Sequence, residues 1–254
     1  MAALTIGSKL INEKSECFII AEIGHNHQGS LETCLRMIKA AAESGVSAVK
    51  LQKRSNRQLF KTNFYNQPYN SENAFGVTYG NHRENLEFNK AEYLECKNYA
   101  IDLGIEFFAT AFDFESVDFL AELDVPAFKM ASGDITNQPL QSYIASIGKP
   151  VIISTGGATL EEIRMAVNVF EEKNCPVSIL QCTAAYPPKY EELNLNVIPK
   201  FIDLFQNHII GYSGHDNGIA MSLLAYALGA RIIEKHFTLD RTMKGTDHSF
   251  SLEP

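Results

Sequence analysis

The chain has 254 residues, of which 45% are hydrophobic and 20% charged, with a formal net charge of −8. That composition supports a large buried core and excludes a disordered polymer. The acidic balance argues against a nucleic-acid or anionic-membrane surface but leaves room for a small anion wherever lysines gather locally.

Taken in order, short apolar runs alternate with segments of helical period. The first predicted strand is 17–24 (CFIIAEIG), followed by a helix over 31–44 with Leu31, Leu35, Ile38 and Ala42 on one face. A strand at 48–53 (AVKLQK) leads into 54–89, which is long, polar and aromatic and shows no clear period. Loops of this length in a compact domain are usually functional insertions. Further strands are predicted at 106–113, 127–132, 150–156, 176–183, 208–214 and 231–237. Between 150–156 and 176–183, Ile163, Val167 and Phe170 mark a helical face within 160–170. Near-continuous apolar runs suit strands covered on both faces, as in parallel sheets. Gly45, Gly104, Gly148 and Gly229 each close a helical run shortly before a strand, as left-handed C-terminal caps do. Eight β-then-α units in one chain of this length predict a single TIM (β/α)8 barrel spanning 1–254, with an open doubly wound sheet as the competitor. The chain ends at Pro254, soon after the eighth strand. The barrel is therefore expected to lack its last helix and to leave an apolar strip over the eighth and first strands.

Five scattered cysteines, Cys17, Cys34, Cys96, Cys175 and Cys182, form no CxxC pair and read as free thiols of a reducing compartment. With no apolar run of membrane length and no leader-like N-terminus, the expectation is a soluble cytoplasmic protein.

Active sites of TIM barrels lie at the C-terminal ends of the strands. There the sequence places Glu22, His25, His27, Lys50, Gln52, Thr110, Asp113, Lys129, Ser132, Asp134, Ser154, Thr155, Thr183, Tyr186, Ser213, His215, Glu234 and His236. Lys50 and Lys129 fall inside apolar strands, where a bare charge is costly. They either pair with Glu22 or Glu234, or form an anion site helped by the hydroxyls of Thr110, Ser132, Ser154 and Ser213. His215 and His236 end consecutive strands and could share one metal, for which two imidazoles with carboxylate and water suit Mn²⁺, Zn²⁺ or Fe²⁺. Glu234 shares a face with His236. Cys182 reads as a structural thiol. The STGG turn at 154–157 fits a tight βα connection or a phosphate-facing backbone. His82 and Arg83 in the long loop are either a solvated pair or readers of a distal substrate end.

Seven segments then carry a family resemblance: AEIGHNHQG (21–29), TYGNHRENLEF (78–88), KMASGD (129–134), ISTGG (153–157), QCTAAYP (181–187), IGYSGHDNGIA (210–220) and EKHFTLDRTMKGTDHSFSLEP (234–254). Together they resemble the NeuB-type sialic acid synthases, nearest to the animal-type branch. The resemblance implies a TIM barrel followed by an antifreeze-like domain, which this sequence does not contain, and a homodimer in which that domain covers the partner's site. It implies a reaction joining phosphoenolpyruvate to N-acetylmannosamine or its 6-phosphate, with a divalent metal, typically Mn²⁺, on His215 and His236. Lys50, Thr110, Lys129, Ser132, Ser154 and Ser213 would hold phosphoenolpyruvate; Gln52, Tyr186 and Asp247 would contact the amino sugar, with Glu22 between sugar and pyruvyl carbon. Glu22, Asp134 and Glu234 are the implied proton-handling and charge-stabilising groups. Ala184 departs from family patterns that carry Asn or Ser there. A legionaminic or pseudaminic acid synthase, another phosphoenolpyruvate-condensing barrel and a non-catalytic barrel are the alternatives. Without the covering domain the sugar end is expected to open to water and turnover to be poor.

Overall fold

The computed structural model describes residues 2–254. All eight predicted strands pair in parallel and close on themselves, which establishes the TIM barrel. A two-stranded hairpin, β1 (Ala3–Ile6) and β2 (Lys9–Asn12), precedes them. The barrel strands are β3 (Phe18–Gly24), β4 (Ala48–Lys53), β5 (Glu106–Ala111), β6 (Phe128–Met130), β7 (Val151–Ser154), β8 (Val177–Cys182), β9 (Ile209–Gly214) and β10 (Ile232–His236), and β10 pairs back onto β3. Each is almost wholly buried, because side chains on one face fill the barrel while those on the other meet the helices.

Helices cover the outside: α1 (Leu31–Glu43), three short ones α2 (Asn56–Leu59), α3 (Thr62–Tyr65) and α4 (Tyr79–Glu84), then α5 (Lys90–Asp102), α6 (Phe114–Glu122), α7 (Gln138–Ser146), α8 (Leu160–Glu172), α9 (Val197–Leu204) and α10 (Ala220–Ala227). Their starts follow local chemistry. Asn89 and Glu92 form a reciprocal capping box on α5, as Thr159 and Glu162 do on α8, each satisfying otherwise orphaned backbone donors. The four predicted cap glycines all have φ between 77° and 105°. Among the described residues no α-helix follows β10; the chain instead makes a 3-10 turn at His248–Phe250.

Three expectations are corrected. The hairpin is absent from the predicted elements. It buries Leu4, Ile6 and Ile11 and is tied by the Ser8 amide, 2.9 Å from Glu106 Oε1 at the start of β5, so it sits at the barrel's N-terminal end. The inward face of α1 is Cys34, Met37, Ile38 and Ala41 rather than Leu31, Leu35, Ile38 and Ala42, which is the same stripe turned by about one residue. The apolar strip over the outer wall of β10 and β3 reduces to Ile19, 42% exposed, because Ala21, Ile23 and Ile233 are buried. Exposed apolar side chains gather instead on α10, at Leu223, Leu224 and Tyr226. The five cysteines are free, with Cys34 and Cys96 touching between α1 and α5. Among the described residues no helix is long and apolar enough to cross a membrane.

Candidate active site

Parallel register brings the charged residues of separate strands to one level. Glu22 on β3 stands beside Lys50 on β4, Thr110 on β5 beside Lys129 on β6, Glu234 on β10 beside Ser213 on β9, and His236 beside Glu22. Because inward positions alternate, all of these point into one cavity of about 690 Å³ at the strands' C-terminal mouth.

Its floor is a buried charge network. Lys50 Nζ lies 2.5 Å from Glu22 Oε2, 2.7 Å from Thr110 Oγ1 and 3.8 Å from Glu234 Oε1. Lys129 Nζ donates to Ser154 Oγ at 2.7 Å and sits 4.0 Å from the same Glu234 oxygen. The ion-pair reading of the two lysines and the anion-site reading therefore hold together: both ammonium groups are paired, and both face the cavity. Burial lowers the Lys129 pKa. It also pushes Glu22 up, and the neighbouring Glu234 adds to this while Lys50 opposes it. For Glu234 the burial penalty is outweighed by Lys129 and Lys50, which hold it below its usual value. Two carboxyl groups in one pocket are thereby pushed in opposite directions, Glu22 up and Glu234 down. Each also keeps a buried oxygen, Glu22 Oε2 and Glu234 Oε2, that accepts no well-directed hydrogen bond.

One wall is formed by imidazoles. The rings of His215 and His236 have centroids 5.3 Å apart, and the Tyr186 ring lies 4.1 Å from that of His215. His215 Nδ1 is 3.1 Å from the Thr183 carbonyl, which fixes it as the N–H and leaves Nε2 as a free lone pair. His236 Nδ1 is buried without a hydrogen bond and lies 3.8 Å from Asp247 Oδ2. Burial drives His215 down to about 4 and lowers His236 as well, so both rings are neutral near pH 7. Neutral imidazoles with unused nitrogens are what a divalent metal requires. Among the described residues they are joined by no third His, Cys, Asp or Glu in ligand geometry, so water or substrate oxygens would complete such a site. Behind this wall Lys235 points outward, its Nζ 3.2 Å from Asp216 Oδ1, which also accepts from Tyr212 at 2.6 Å. This buried ladder ties the ends of β9 and β10 beside the two histidines.

The rim comes from the β4–α5 insertion, as its place after the second barrel strand predicts. Tyr69, Asn73, Phe75, His82 and Arg83 from it line the cavity, with Asp247 from the C-terminal segment. His82 is held by the Phe75 amide at 3.1 Å on its Nδ1 and stacks on Tyr69.

Of the predicted site residues, Glu22, Lys50, Gln52, Thr110, Lys129, Ser132, Ser154, Tyr186, Ser213, Glu234, His82, Arg83, Asp247, His215 and His236 all line this cavity. Asp134 does not. It sits in the 3-10 turn after β6, where its carboxylate accepts from Asn137 at 3.2 Å. Asp113 caps α6, Thr155 and Thr183 bond to backbone carbonyls, and His27 stacks on Phe88 at 4.2 Å; all four are structural. Cys182 lines the cavity with its thiol pKa raised by burial, unlike a metal-bound thiolate. Gly156 marks a close approach: a Cβ there would come within 2.9 Å of Ala184 Cβ and 3.0 Å of Ser132 Oγ, whose hydroxyl takes the Gly156 N–H. The sequence reading misses Arg54 and Glu87, and places His25 only as one of many strand-end polar groups. A charged residue one position past β4 is the available signal for Arg54.

The chain is 44% identical to the mouse N-acetylneuraminate-9-phosphate synthase over 96% of this chain and 68% of that protein. With the N,N'-diacetyllegionaminic acid synthase of Campylobacter jejuni the identity is 41%, over 93% of this chain and 72% of that one. The crystal structure of an N-acetylneuraminic acid (sialic acid) synthetase from Leptospira borgpetersenii, in complex with citrate, superposes with a TM-score of 0.85 at 39% identity, covering 99% of this chain and 84% of that one. The chain thus spans about two thirds of the animal relative's length. The NeuB family matches residues 37–254, and with the barrel and its cavity in register with that match, the chain belongs to the NeuB family.

Proposed function

We propose that this barrel condenses phosphoenolpyruvate with an N-acetylmannosamine-type sugar, giving a nine-carbon 2-keto-3-deoxy acid and inorganic phosphate. The observation that carries the reading is the floor: two buried lysines share one ionised carboxylate beneath two neutral, partly unsatisfied imidazoles. A dianionic phosphate beside a carboxylate needs that density of fixed donors, and the hydroxyls of Thr110, Ser132, Ser154 and Ser213 complete it.

Lys50 and Lys129 hold the phosphate and carboxylate, fixing the alkene of phosphoenolpyruvate against the sugar. Gln52, Tyr186 and Asp247 orient the open-chain sugar so that its aldehyde faces carbon 3. A new bond forms from carbon 3 to the aldehyde carbon, and the aldehyde oxygen takes a proton. Glu22, which lies beside Lys50 and whose pKa burial raises, is suited to supply it. Carbon 2 becomes cationic in character, and ionised Glu234 stands beside it. Water adds to carbon 2 and returns one proton to Glu22; the carbon–oxygen bond to the bridging oxygen then breaks, the hydroxyl proton passes to the departing phosphate, which carries the bridging oxygen, and carbon 2 is left as the ketone of the free 2-keto acid. A divalent ion, Mn²⁺ in this reading, would be held by His215 and His236 and would supply Lewis-acid polarisation of the aldehyde oxygen.

The similarity to synthases of N-acetylneuraminate 9-phosphate and of sialic acid supports this reading. The similarity to a legionaminic acid synthase leaves a diacetamido-trideoxy sugar as the competing substrate. The test is sugar-dependent release of inorganic phosphate from phosphoenolpyruvate by the purified chain with Mn²⁺, using N-acetylmannosamine and its 6-phosphate separately. Release with either sugar, lost in Lys129→Met, is expected; release independent of any sugar would overturn it.

A further inference from the structure

Two features of the imidazole wall have no part in the reaction above: the unpaired ring nitrogen of His236 and the turn that packs against it. Beside both imidazoles lies Phe250, 2% exposed, its ring centroid 5.0 Å from that of His236 and 6.0 Å from that of His215, edge-on to each. It belongs to the 3-10 turn that Asp247 opens, so the segment from Asp247 to Ser251 (DHSFS) backs the wall as one piece. That turn is tied down at several points. The Leu252 amide donates to the His236 carbonyl at 2.7 Å. Ser251 Oγ donates to the Asp247 carbonyl at 2.7 Å and accepts from Asn26 Nδ2 at 3.0 Å. The second N–H of Asn26 goes to the Phe237 carbonyl at 2.9 Å, so the exits of β3 and β10 and the turn are joined through one buried amide.

The turn leaves one carboxylate oxygen for His236. Asp247 Oδ1 accepts from Thr246 Oγ1 at 2.8 Å, while Oδ2 lies 3.8 Å from His236 Nδ1, a buried nitrogen with no hydrogen bond. A neutral imidazole carries one N–H and one lone pair, and a carboxylate only accepts. A lone pair on Nδ1 would face the Asp247 charge and be repelled. An N–H there is attracted, and closing the gap by roughly 1 Å makes a charge-assisted hydrogen bond. The proton therefore belongs on Nδ1 and the lone pair on Nε2. His215 reaches the same arrangement by another route, its Nδ1 facing the Thr183 carbonyl at 3.1 Å. Holding the distal N–H of a ligating imidazole fixes its tautomer and the direction of its lone pair, and raises its basicity.

We infer that Asp247 is a positioning residue for the two imidazoles: it takes the Nδ1–H of His236 and so presents Nε2 to a divalent ion, while Phe250 and the Asn26–Ser251 bond hold ring and carboxylate in place. This rests on the metal assignment of the synthase reading above, and it gives Asp247 a part beyond orienting the sugar. Phe250 and Ser251 act only through Asp247 and the two rings.

The test uses the full chain and Zn²⁺ as a diamagnetic probe ion, with neither phosphoenolpyruvate nor sugar present. Calorimetry gives the Zn²⁺ affinity, denaturant unfolding of the metal-free chain gives its stability, and NMR of ¹⁵N-histidine-labelled protein identifies the ligating nitrogen of His236. The expected result is ligation through Nε2, with a downfield Nδ1 proton that moves upfield in Asp247→Asn. Asp247→Asn should weaken Zn²⁺ binding about 10- to 100-fold while metal-free stability stays close to wild type. Ser251→Ala keeps both imidazoles and the carboxylate and should weaken binding less, still with Nε2 as the ligand. Ligation through Nδ1 overturns the inference, as does an unchanged Zn²⁺ affinity in Asp247→Asn, or a loss there that metal-free stability matches. If Asp247→Asn does not fold, Ser251→Ala decides: a lower affinity supports the inference and wild-type affinity contradicts it. A wild-type chain that binds no Zn²⁺ removes the metal assignment and this inference together, whereas binding that is indifferent to Asp247 rejects this inference alone.

Discussion

The floor and the rim of the cavity solve the same electrostatic problem differently. On the floor, strand register sets each charge opposite its partner: Lys50 meets Glu22, and Lys129 meets Ser154 with Glu234 between the two lysines. On the rim, Arg54 and Arg83 come from a strand exit and a short helix and converge on a single histidine, with Glu87 Oε1 3.8 Å from the same ring. A charge set that is complete without ligand can be built from barrel strands and maintained at any occupancy. The strand-borne charges are thus fixed by register, while the rim contacts depend on how the insertion folds back over the mouth.

Several variants would break or sharpen that contrast. The largest effect is expected at the imidazole wall. In the double variant His215→Ala/His236→Ala, Mn²⁺ binding should vanish from calorimetry; an unchanged affinity would reject the assignment of those residues. Next is the floor. Lys129→Met keeps the length of the side chain and removes a buried charge, so phosphoenolpyruvate binding should weaken by about 2–4 kcal/mol, with sugar binding much less affected. Equal losses for both ligands would point to a folding defect instead.

A smaller effect is expected where the floor is held in shape. Gly156→Ala drives a methyl group against Ala184 and Ser132, and overpacking of this kind costs about 1–3 kcal/mol, readable as a lower denaturant midpoint at constant slope. A variant as stable as wild type would show that the turn yields freely. The gentlest test concerns His27, which burial holds down to about 3 against Phe88. The unfolded chain takes up this proton near pH 6.5 and the native chain does not. Its contribution to stability is therefore full above pH 6.5 and falls as pH drops toward 3, by at most about 1.4 kcal/mol per pH unit. His27→Gln should flatten the stability difference between pH 7 and pH 5; an unaltered slope would assign that pH dependence to other groups.

The barrel is readable in the sequence because strands buried on both faces leave unbroken apolar runs, which polar segments and cap glycines separate cleanly. The hairpin at Ala3–Asn12 is not, because two four-residue strands with partly exposed faces carry too little pattern. The same reason hides α2, α3 and α4, which have four to six residues each, fewer than two turns, so no period can establish itself. In the site, residues inside strands are predicted correctly because alternation fixes their direction: Glu22, Lys50, Lys129, Ser154, Ser213 and Glu234 all face inward. Just past a strand end alternation stops fixing direction: His215 and Ser132 line the cavity as expected, but their neighbours vary. Asp134 turns aside to accept from Asn137, while Arg54 turns in. Nothing in a single sequence distinguishes those two outcomes, since each depends on what the neighbouring loops place nearby.

The central claim is that this cavity joins a sugar aldehyde to phosphoenolpyruvate by carbon–oxygen cleavage. It is tested most directly with phosphoenolpyruvate labelled with ¹⁸O at the bridging position, turned over with whichever sugar supports phosphate release and followed by mass spectrometry of the released phosphate. The account predicts that the label leaves with the phosphate and that the new keto oxygen comes from water. Label retained in the sugar acid, with unlabelled phosphate, would mean phosphorus–oxygen cleavage and would contradict the proposed roles of the two lysines and Glu234.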